Sequence, residues 1–132
     1  MTHVVDAHAL VWFLSKHPRL GPNAARVLAD PQSRLLVPAI ALAEACWAVQ
    51  PGRSSIPSAE ALLSAVTQDP RIHIEPLDAD IIARTFALSA IPEMHDRQIV
   101  ASARRLQEHG DLGGVLTADC AITASGLVHV VW

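Results

Sequence analysis

The stretch His3-Val4-Val5-Asp6-Ala7-His8-Ala9-Leu10-Val11-Trp12 decides the fold of this chain. Its first three residues predict a short buried strand, and apolar residues at helical spacing follow from Ala7 to Ser15. Asp6 stands between the two elements, where an ionised carboxylate is costly unless it pairs with a cation or a metal. The stretch therefore predicts a strand–helix unit with an acid at the carboxyl end of the strand.

The rest of the chain repeats this alternation of short apolar strands and helices. Further strands are predicted at residues 34–37, 72–74, 115–117 and 128–131. Helices are predicted at residues 22–30, 38–50, 58–67, 78–90 and 95–109, with Pro or Gly at most of their ends. Such alternation is typical of an α/β sandwich around a mostly parallel sheet.

Composition and length restrict the class of protein. A chain of 132 residues fits one domain, residues 1–132, and 51% hydrophobic with 17% charged residues is too apolar for disorder. The net charge of −3 does not indicate nucleic-acid binding. The N-terminus lacks the pattern of a secretory signal, and no apolar run reaches the roughly 20 residues of a membrane span. We therefore expect a soluble, cytoplasmic protein.

Cysteine and tryptophan residues carry little functional signal. Cys46 and Cys120 are expected to be small buried thiols in a reducing compartment, because two cysteines make no disulfide framework or zinc site. Trp12, Trp47 and Trp132 are interpreted as core or interface anchors.

Four acids interrupt or adjoin apolar runs: Asp6, Glu44, Asp96 and Asp119. Asp6 and Asp119 directly follow predicted strands, so both should emerge at the carboxyl edge of the sheet, where ligands bind in such folds. Asp96 lies at a helix N-terminus, and Glu44 lies in mid-helix. Four carboxylates from distant segments are thus predicted to converge.

Each acid also has a structural interpretation. Asp6 and Asp119 would serve as caps of the helices that follow them, Asp96 would suit the dipole of its helix, and Glu44 would be exposed on a turned helix. Glu93, three residues before Asp96, is a candidate fifth, outer acid. His8 and His95 flank the acids, but no histidine pair has metal-ligand spacing on one helix face.

The carboxylate set favours a hard divalent cation. Mg²⁺ and Mn²⁺ prefer oxygen ligands, and a four-acid cluster suits one ion with an outer shell or two ions about 4 Å apart. Such a site activates water and stabilises charge on a phosphodiester.

Four segments, in order, resemble those of PIN-domain nucleases. They are Val4 to Trp12, Pro38 to Glu44, His95 to Ala103, and Leu116-Thr117-Ala118-Asp119, and the closing Val128 to Trp132 is similar to the last strand of short bacterial members. The resemblance implies a three-layer α/β/α domain. A free-standing domain of this length most resembles VapC, the toxin of type II toxin–antitoxin pairs.

The VapC resemblance implies a Mg²⁺- or Mn²⁺-dependent endoribonuclease that cleaves tRNA or ribosomal RNA. It implies a homodimer held inactive by a VapB-type antitoxin. Asp6 and Asp96 would be the principal metal ligands, and Glu44 and Asp119 would complete the acidic pocket. Thr117 would help to position the pocket, and Arg97 would touch substrate or pair with an acid. Cys120 departs from the basic or small polar residue that many relatives carry after the last acid.

Other functional classes also gather acids at strand ends, and their sequence patterns differ from that of this chain. A phosphoacceptor signalling domain would carry adjacent acids after its first strand and a lysine after its last, but the only lysine is Lys16. An Asp-x-Asp phosphatase fails because His8 occupies the second position. A catalytically inactive PIN scaffold that binds RNA or a partner remains the alternative. As a hypothesis, part of Val11-Trp12-Phe13-Leu14 forms a groove for a dimer partner or an antitoxin.

Overall fold

The computed structural model describes all residues 1–132, which form five strands and seven helices. The strands are β1 Thr2–Val5, β2 Arg34–Pro38, β3 Ile72–Glu75, β4 Leu112–Leu116 and β5 Val130–Val131. The helices are α1 Ala7–Leu14, α2 Pro22–Ala29, α3 Ala39–Ala48, α4 Ala59–Gln68, α5 Ala79–Thr85, α6 Met94–Glu108 and α7 Cys120–Ser125.

The sheet has the order β3-β2-β1-β4-β5, and all four strand pairings are parallel. The α/β/α architecture is therefore confirmed, with a sheet that is wholly rather than mostly parallel. After β1 the chain adds β2 and β3 on one side and then crosses to β4 and β5 on the other. The end of β1 is consequently the point where the strand order reverses, and ligands bind at that crevice in open parallel sheets.

The core lies between the sheet and its helices. The inner strands are almost continuously buried, with Val4, Val37 and Val115 at 0% exposure, as expected for a sheet that is covered on both faces. Ile99 and Ala103 of α6 are also at 0% exposure, so the apolar face predicted for this helix is the one it buries. This packing fixes α6 beside β1, β2 and β4 and sets the direction in which its first turn points.

Three predictions of local structure were wrong. Strand β4 begins at Leu112, because Gly113 forms a bulge: Thr2 pairs with Leu112, but His3 pairs with Gly114. A Cβ at Gly113 would lie 2.7 Å from the His3 ring, so only glycine fits this position. Helix α5 ends at Thr85, and Leu88 and Ile91 reach the core through successive turns instead. The short helix α7 was not among the predicted elements.

The expected burial of several side chains was also wrong. Cys120 is exposed and Cys46 is half-buried, because Cys120 opens α7 at the molecular surface. Of the tryptophans interpreted as core or interface anchors, Trp12 and Trp132 pack together, with ring centroids 5.9 Å apart. Trp47 is 90% exposed, so it is not a core anchor, and its role as an interface anchor stays a prediction. No helix has the length and apolar character that crossing a membrane requires.

The apolar residues of α1 are less free than the groove hypothesis assumed. Val11, Phe13 and Leu14 are half-buried against the core, and Trp12 stacks on His17 with centroids 5.2 Å apart. The most exposed apolar side chains near helices lie elsewhere, on α3 (Trp47) and just after α5 (Phe86).

Candidate functional site

The ends of β1 and β4 bring the first and the last of the four acidic segments together. Val5 pairs with Leu116 at the carboxyl ends of the two strands, and the Asp6 amide donates to the Leu116 carbonyl at 3.1 Å. The residues that follow, Asp6 on one side and Thr117 to Asp119 on the other, leave the sheet at the same edge. The predicted meeting of Asp6 and Asp119 at this edge is thus a consequence of strand register.

Asp6 is the most buried of the four acids, at 6% exposure. Its Oδ1 accepts from the Ala7 amide at 2.6 Å, and its Oδ2 accepts from the Thr117 hydroxyl at 2.5 Å. Burial raises the pKa of Asp6, and the hydrogen bonds from Thr117 and Ala7 oppose that rise. The nearby charge of Asp119 raises the Asp6 pKa further. Asp6 is therefore held in one orientation with a charge that its surroundings do not neutralise.

Asp119 is the N-cap of α7 and also part of the acidic pocket. Its Oδ1 accepts from the Ile122 amide at 2.9 Å, and its own amide donates to the Thr117 hydroxyl at 3.0 Å. Its Oδ2 makes no hydrogen bond with the protein. The capping interpretation is correct for Asp119, as it is for Asp6, but a cap of this kind leaves carboxylate oxygen free for a ligand.

Asp96 lies in the first turn of α6 and has the most perturbed acidity of the site. Its pKa is raised to about 6 by burial and then by the charges of Asp119, Asp6, Glu44 and Glu93, in that order. All the charges that act most strongly on Asp96 are acidic. The four predicted acids, with Glu93, therefore share one electrostatic environment, and no lysine or arginine is among the groups that shift the Asp96 pKa most.

Glu44 reaches the pocket from the middle of α3. Its Oε1 is buried without a hydrogen bond, and the nearest cationic group is His95, whose Nδ1 lies 3.2 Å away. Burial raises the Glu44 pKa; His95 and His8 lower it, and Asp6 and Glu93 raise it. Glu44 is therefore half-buried: its Oε1 faces the protein beside His95, and it does not extend freely into solvent as it would on a turned helix.

Glu93 and Arg97 support the site in different ways. Glu93 is the exposed N-cap residue of α6, and its charge acts on both Asp96 and Glu44, as an outer acid would. Arg97 pairs with none of the acids; its Nε donates to the Ile91 carbonyl and braces the turn before α6.

Two surface grooves lead away from the acids, and sequence reasoning missed both. One groove is lined by Glu44 and Trp47 of α3 with His8 and His95. The other is lined by Asp119, Cys120, Trp12 and Arg19, again with His8. His8 therefore lies between the grooves. The three-residue spacing of Glu44 and Trp47 on one helix is the signal that could have placed Trp47 here.

The carboxylates of the pocket suit a hard cation, although they do not surround a single position as the ligands of a bound ion would. No three His, Cys, Asp or Glu side chains are arranged as a metal-binding group. Mg²⁺ retains several waters and takes only one or two direct carboxylates, so a pair of these acids is sufficient. The pKa of Asp96, raised by burial and by neighbouring acidic charges, and a buried Glu44 oxygen that accepts no hydrogen bond fit such an ion.

Fold and site define an α/β domain with a carboxylate pocket at the switch point of a parallel sheet. The model of the PIN domain family matches residues 3–129, so the chain belongs to the PIN domain family. The resemblance of the four acidic segments is thereby confirmed at the level of the family.

Two solved structures share the fold along nearly their whole length. VapC20 of Mycobacterium tuberculosis, described as a sarcin-ricin loop cleaving toxin, is 15% identical with a TM-score of 0.70, and the alignment covers 98% of this chain and 99% of that one. VapBC2 of Rickettsia felis, solved bound to a DNA fragment of its promoter, is 18% identical with a TM-score of 0.67, covering 98% and 97%. A comparison with curated protein sequences found no match.

Proposed function

We propose that this protein is a metal-dependent endoribonuclease, the VapC-type toxin of a toxin–antitoxin pair. The observation that carries the proposal is the convergence of the acids at one sheet edge: the Thr117 hydroxyl joins Asp6 to Asp119, and the charges of Asp119, Asp6, Glu44 and Glu93, after burial, raise the pKa of Asp96 to about 6. Such a cluster is costly unless a cation occupies it. Membership of the PIN family and full-length similarity to VapC and VapBC structures support the same function.

The four acids take distinct places in the proposed site. Asp6 and Asp96 are the principal ligands of a Mg²⁺ or Mn²⁺ ion, and Glu44 and Asp119 complete the pocket around it. The bound ion would supply a nucleophilic water and neutralise charge on the phosphate. Thr117 would fix the Asp6 carboxylate through its 2.5 Å hydrogen bond.

The reaction is hydrolysis of an RNA phosphodiester. The oxygen of a water forms the new bond to phosphorus, a bridging oxygen of the RNA backbone leaves, and a pocket carboxylate accepts the proton. Without the cation the same carboxylates repel the phosphate. Activity should therefore depend strictly on the divalent ion.

The biological role rests on the two structural relatives. A toxin that cleaves an RNA loop and a toxin–antitoxin complex both share this fold over the full chain. We infer a VapB-type antitoxin as the partner, a homodimer as the assembly, and tRNA or ribosomal RNA as the target. Copurification with the product of the neighbouring gene, followed by light scattering, tests the partner and the dimer; a monomer that gains no mass contradicts both.

Cleavage of total cellular RNA tests the enzymatic proposal. The purified protein is assayed with Mg²⁺, with Mn²⁺ and with EDTA, beside Asp6→Asn and Asp96→Asn. Discrete, EDTA-sensitive fragments that both variants fail to produce support the nuclease, and the fragment ends identify the target. If folded, antitoxin-free wild type cleaves no RNA with either ion, the inactive scaffold that only binds becomes the better account.

A further inference from the structure

Trp47 is the most exposed large apolar side chain of the protein, at 90% exposure. It lies near the end of α3 and packs against no core residue. Phe86, the next most exposed, lies just after α5 and lines neither groove. An indole that is almost wholly in water gains nothing for the fold, so its position calls for another explanation.

The groove beside Trp47 opens directly from the acidic pocket. Glu44 belongs to both, and Trp47 follows it by three residues, so the two side chains share one face of α3 with Cβ atoms about 5–6 Å apart. That separation is on the scale of one nucleotide. A nucleotide next to a phosphate at the acids is therefore within reach of the indole.

We propose that this groove holds one unpaired nucleobase of the RNA substrate, stacked on Trp47, next to the phosphate that is cleaved. The inference rests on the proposed function and deepens it, because it makes the substrate single-stranded at that position. Stacking of splayed bases on aromatic side chains is the usual way in which proteins read single-stranded RNA. His8 and His95, which line the same groove, supply ring nitrogens for the polar edge of the base or its backbone.

The second groove provides the other half of the strand's path. Arg19 lies there beside Asp119, and its guanidinium makes no hydrogen bond or ion pair with the protein. Trp12, in the same groove, is already stacked on His17 and is not free for a base. The strand would therefore place a backbone phosphate on Arg19, cross the acids past His8, and place a base on Trp47.

A nucleobase fits the Trp47 groove better than a protein helix does. Apart from Trp47, its apolar lining is Val11 and alanine side chains, with Glu44, His8 and His95 between them. A helix in a groove requires a row of apolar pockets at helical spacing, and one projecting ring among small and polar side chains does not provide it.

Binding in a cleavage-deficient background tests the proposal. Asp96→Asn protein is titrated with a fluorescein-labelled, mixed-sequence single-stranded oligoribonucleotide and with the same sequence as a duplex, with anisotropy as the readout. Trp47→Ala in that background should weaken single-strand binding about 5- to 100-fold, and Trp47→Phe should restore most of it. Duplex binding should not change. Phe86→Ala, which removes an equally exposed ring elsewhere, is the matched control and should have no effect.

The proposed contact between Arg19 and a backbone phosphate is tested separately, through the salt dependence of RNA binding. Arg19→Ala should weaken binding evenly across sequences and lower the slope of log Kd against log salt by about 1. Arg34→Ala is the control, since Arg34 begins β2 at the opposite edge of the sheet.

Single-strand affinity that is unchanged in Trp47→Ala overturns the inference while leaving the nuclease intact, provided that wild type still cleaves RNA. Loss of self-association or of antitoxin binding in Trp47→Ala, with RNA affinity retained, assigns the groove to a protein and also overturns it. A wild type that neither binds nor cleaves RNA overturns the proposed function itself.

Discussion

The Thr117 hydroxyl donates to Asp6 Oδ2 at 2.5 Å and, through the same oxygen, accepts from the Asp119 amide at 3.0 Å. A single buried side chain thereby connects the acid after β1 to the acid after β4. Since a hydrogen bond to a carboxylate is stronger than one between neutral groups, this link fixes both the direction and the acidity of Asp6. Strand register brings the two acids to the same edge, and this one hydroxyl links their positions there.

Thr117→Val should therefore impair both stability and acidity at the site. It keeps the shape of the side chain but leaves the buried Asp6 oxygen and the Asp119 amide unpaired, at a cost of about 1–3 kcal/mol in the free energy of unfolding. Because the Thr117 hydrogen bond lowers the Asp6 pKa, its loss should move the acidic limb of the pH–cleavage profile to higher pH. Urea denaturation and a pH profile measure the two effects. Thr117→Ser, which keeps the hydroxyl, should resemble wild type; a Ser variant as impaired as Val would refute the argument.

Asp96→Asn should stabilise the metal-free protein at neutral pH. Folding raises the Asp96 pKa from 3.8 to about 6, so the folded state holds the proton more tightly than the unfolded state does. The penalty is absent below about pH 4, develops as pH rises, and is complete above about pH 6. Since Asp96 is only partly buried, we expect a gain of about 1–2 kcal/mol from the substitution at pH 7.5 in EDTA. Urea denaturation at pH 7.5 and pH 4.5 should show a clearly larger gain at the higher pH, because the penalty is only partly developed at pH 4.5; an equal gain at both would contradict the pKa shift.

Much of the fold follows from sequence because its signals are local. The run Leu35-Leu36-Val37 is typical of a buried strand, and the apolar periodicity of α6 predicts which face of the helix is buried. The four acids were predicted for a similar reason, since a carboxylate beside an apolar run is an anomaly that can be seen without coordinates, and their role in metal binding stays a prediction. Which of their oxygens are hydrogen-bonded depends on strand register, and no local pattern encodes that.

The failures have physical causes as well. Leu88 and Ile91 have the apolar character of a continued helix, but they reach the core through turns, and residue type alone does not distinguish the two. Residue type does not distinguish a core anchor from an interface anchor for Trp47, and the structure places it exposed near the end of α3. Cys120 is predicted to be buried because free thiols usually are buried. It is exposed because it begins the short helix α7, which the sequence pattern does not reveal.

Arg105 should matter for stability and not for cleavage. It forms ion pairs with Glu75, Asp78 and Asp80, and Glu75 is only 7% exposed. Arg105→Ala leaves the Glu75 charge buried without a partner, and we expect a loss of about 2–3 kcal/mol in the free energy of unfolding, allowing for the partial exposure of the arginine. Below its unfolding range the variant should cleave RNA within about two-fold of wild type, because these residues lie outside the acidic pocket.

The double variant Arg105→Ala/Glu75→Gln separates a buried charge from lost packing. Neutralising Glu75 removes the unpaired charge, so the double variant should recover most of the lost stability. If it is as unstable as Arg105→Ala alone, the loss arises from packing of the arginine stem and not from the carboxylate.

Divalent metal should stabilise the folded protein through the acidic pocket. A ligand that binds only the native state adds about 2.7 kcal/mol when present at 100 times its Kd. Urea midpoints should therefore rise with Mg²⁺ or Mn²⁺ concentration in wild type and much less in Asp6→Asn and Asp96→Asn. Glu60→Gln removes an exposed acid of α4 outside the pocket and should respond as wild type does. KCl at matched ionic strength corrects for general screening. If both Asn variants gain as much from the metal as wild type, the ion binds elsewhere and the assignment of Asp6 and Asp96 as ligands is wrong.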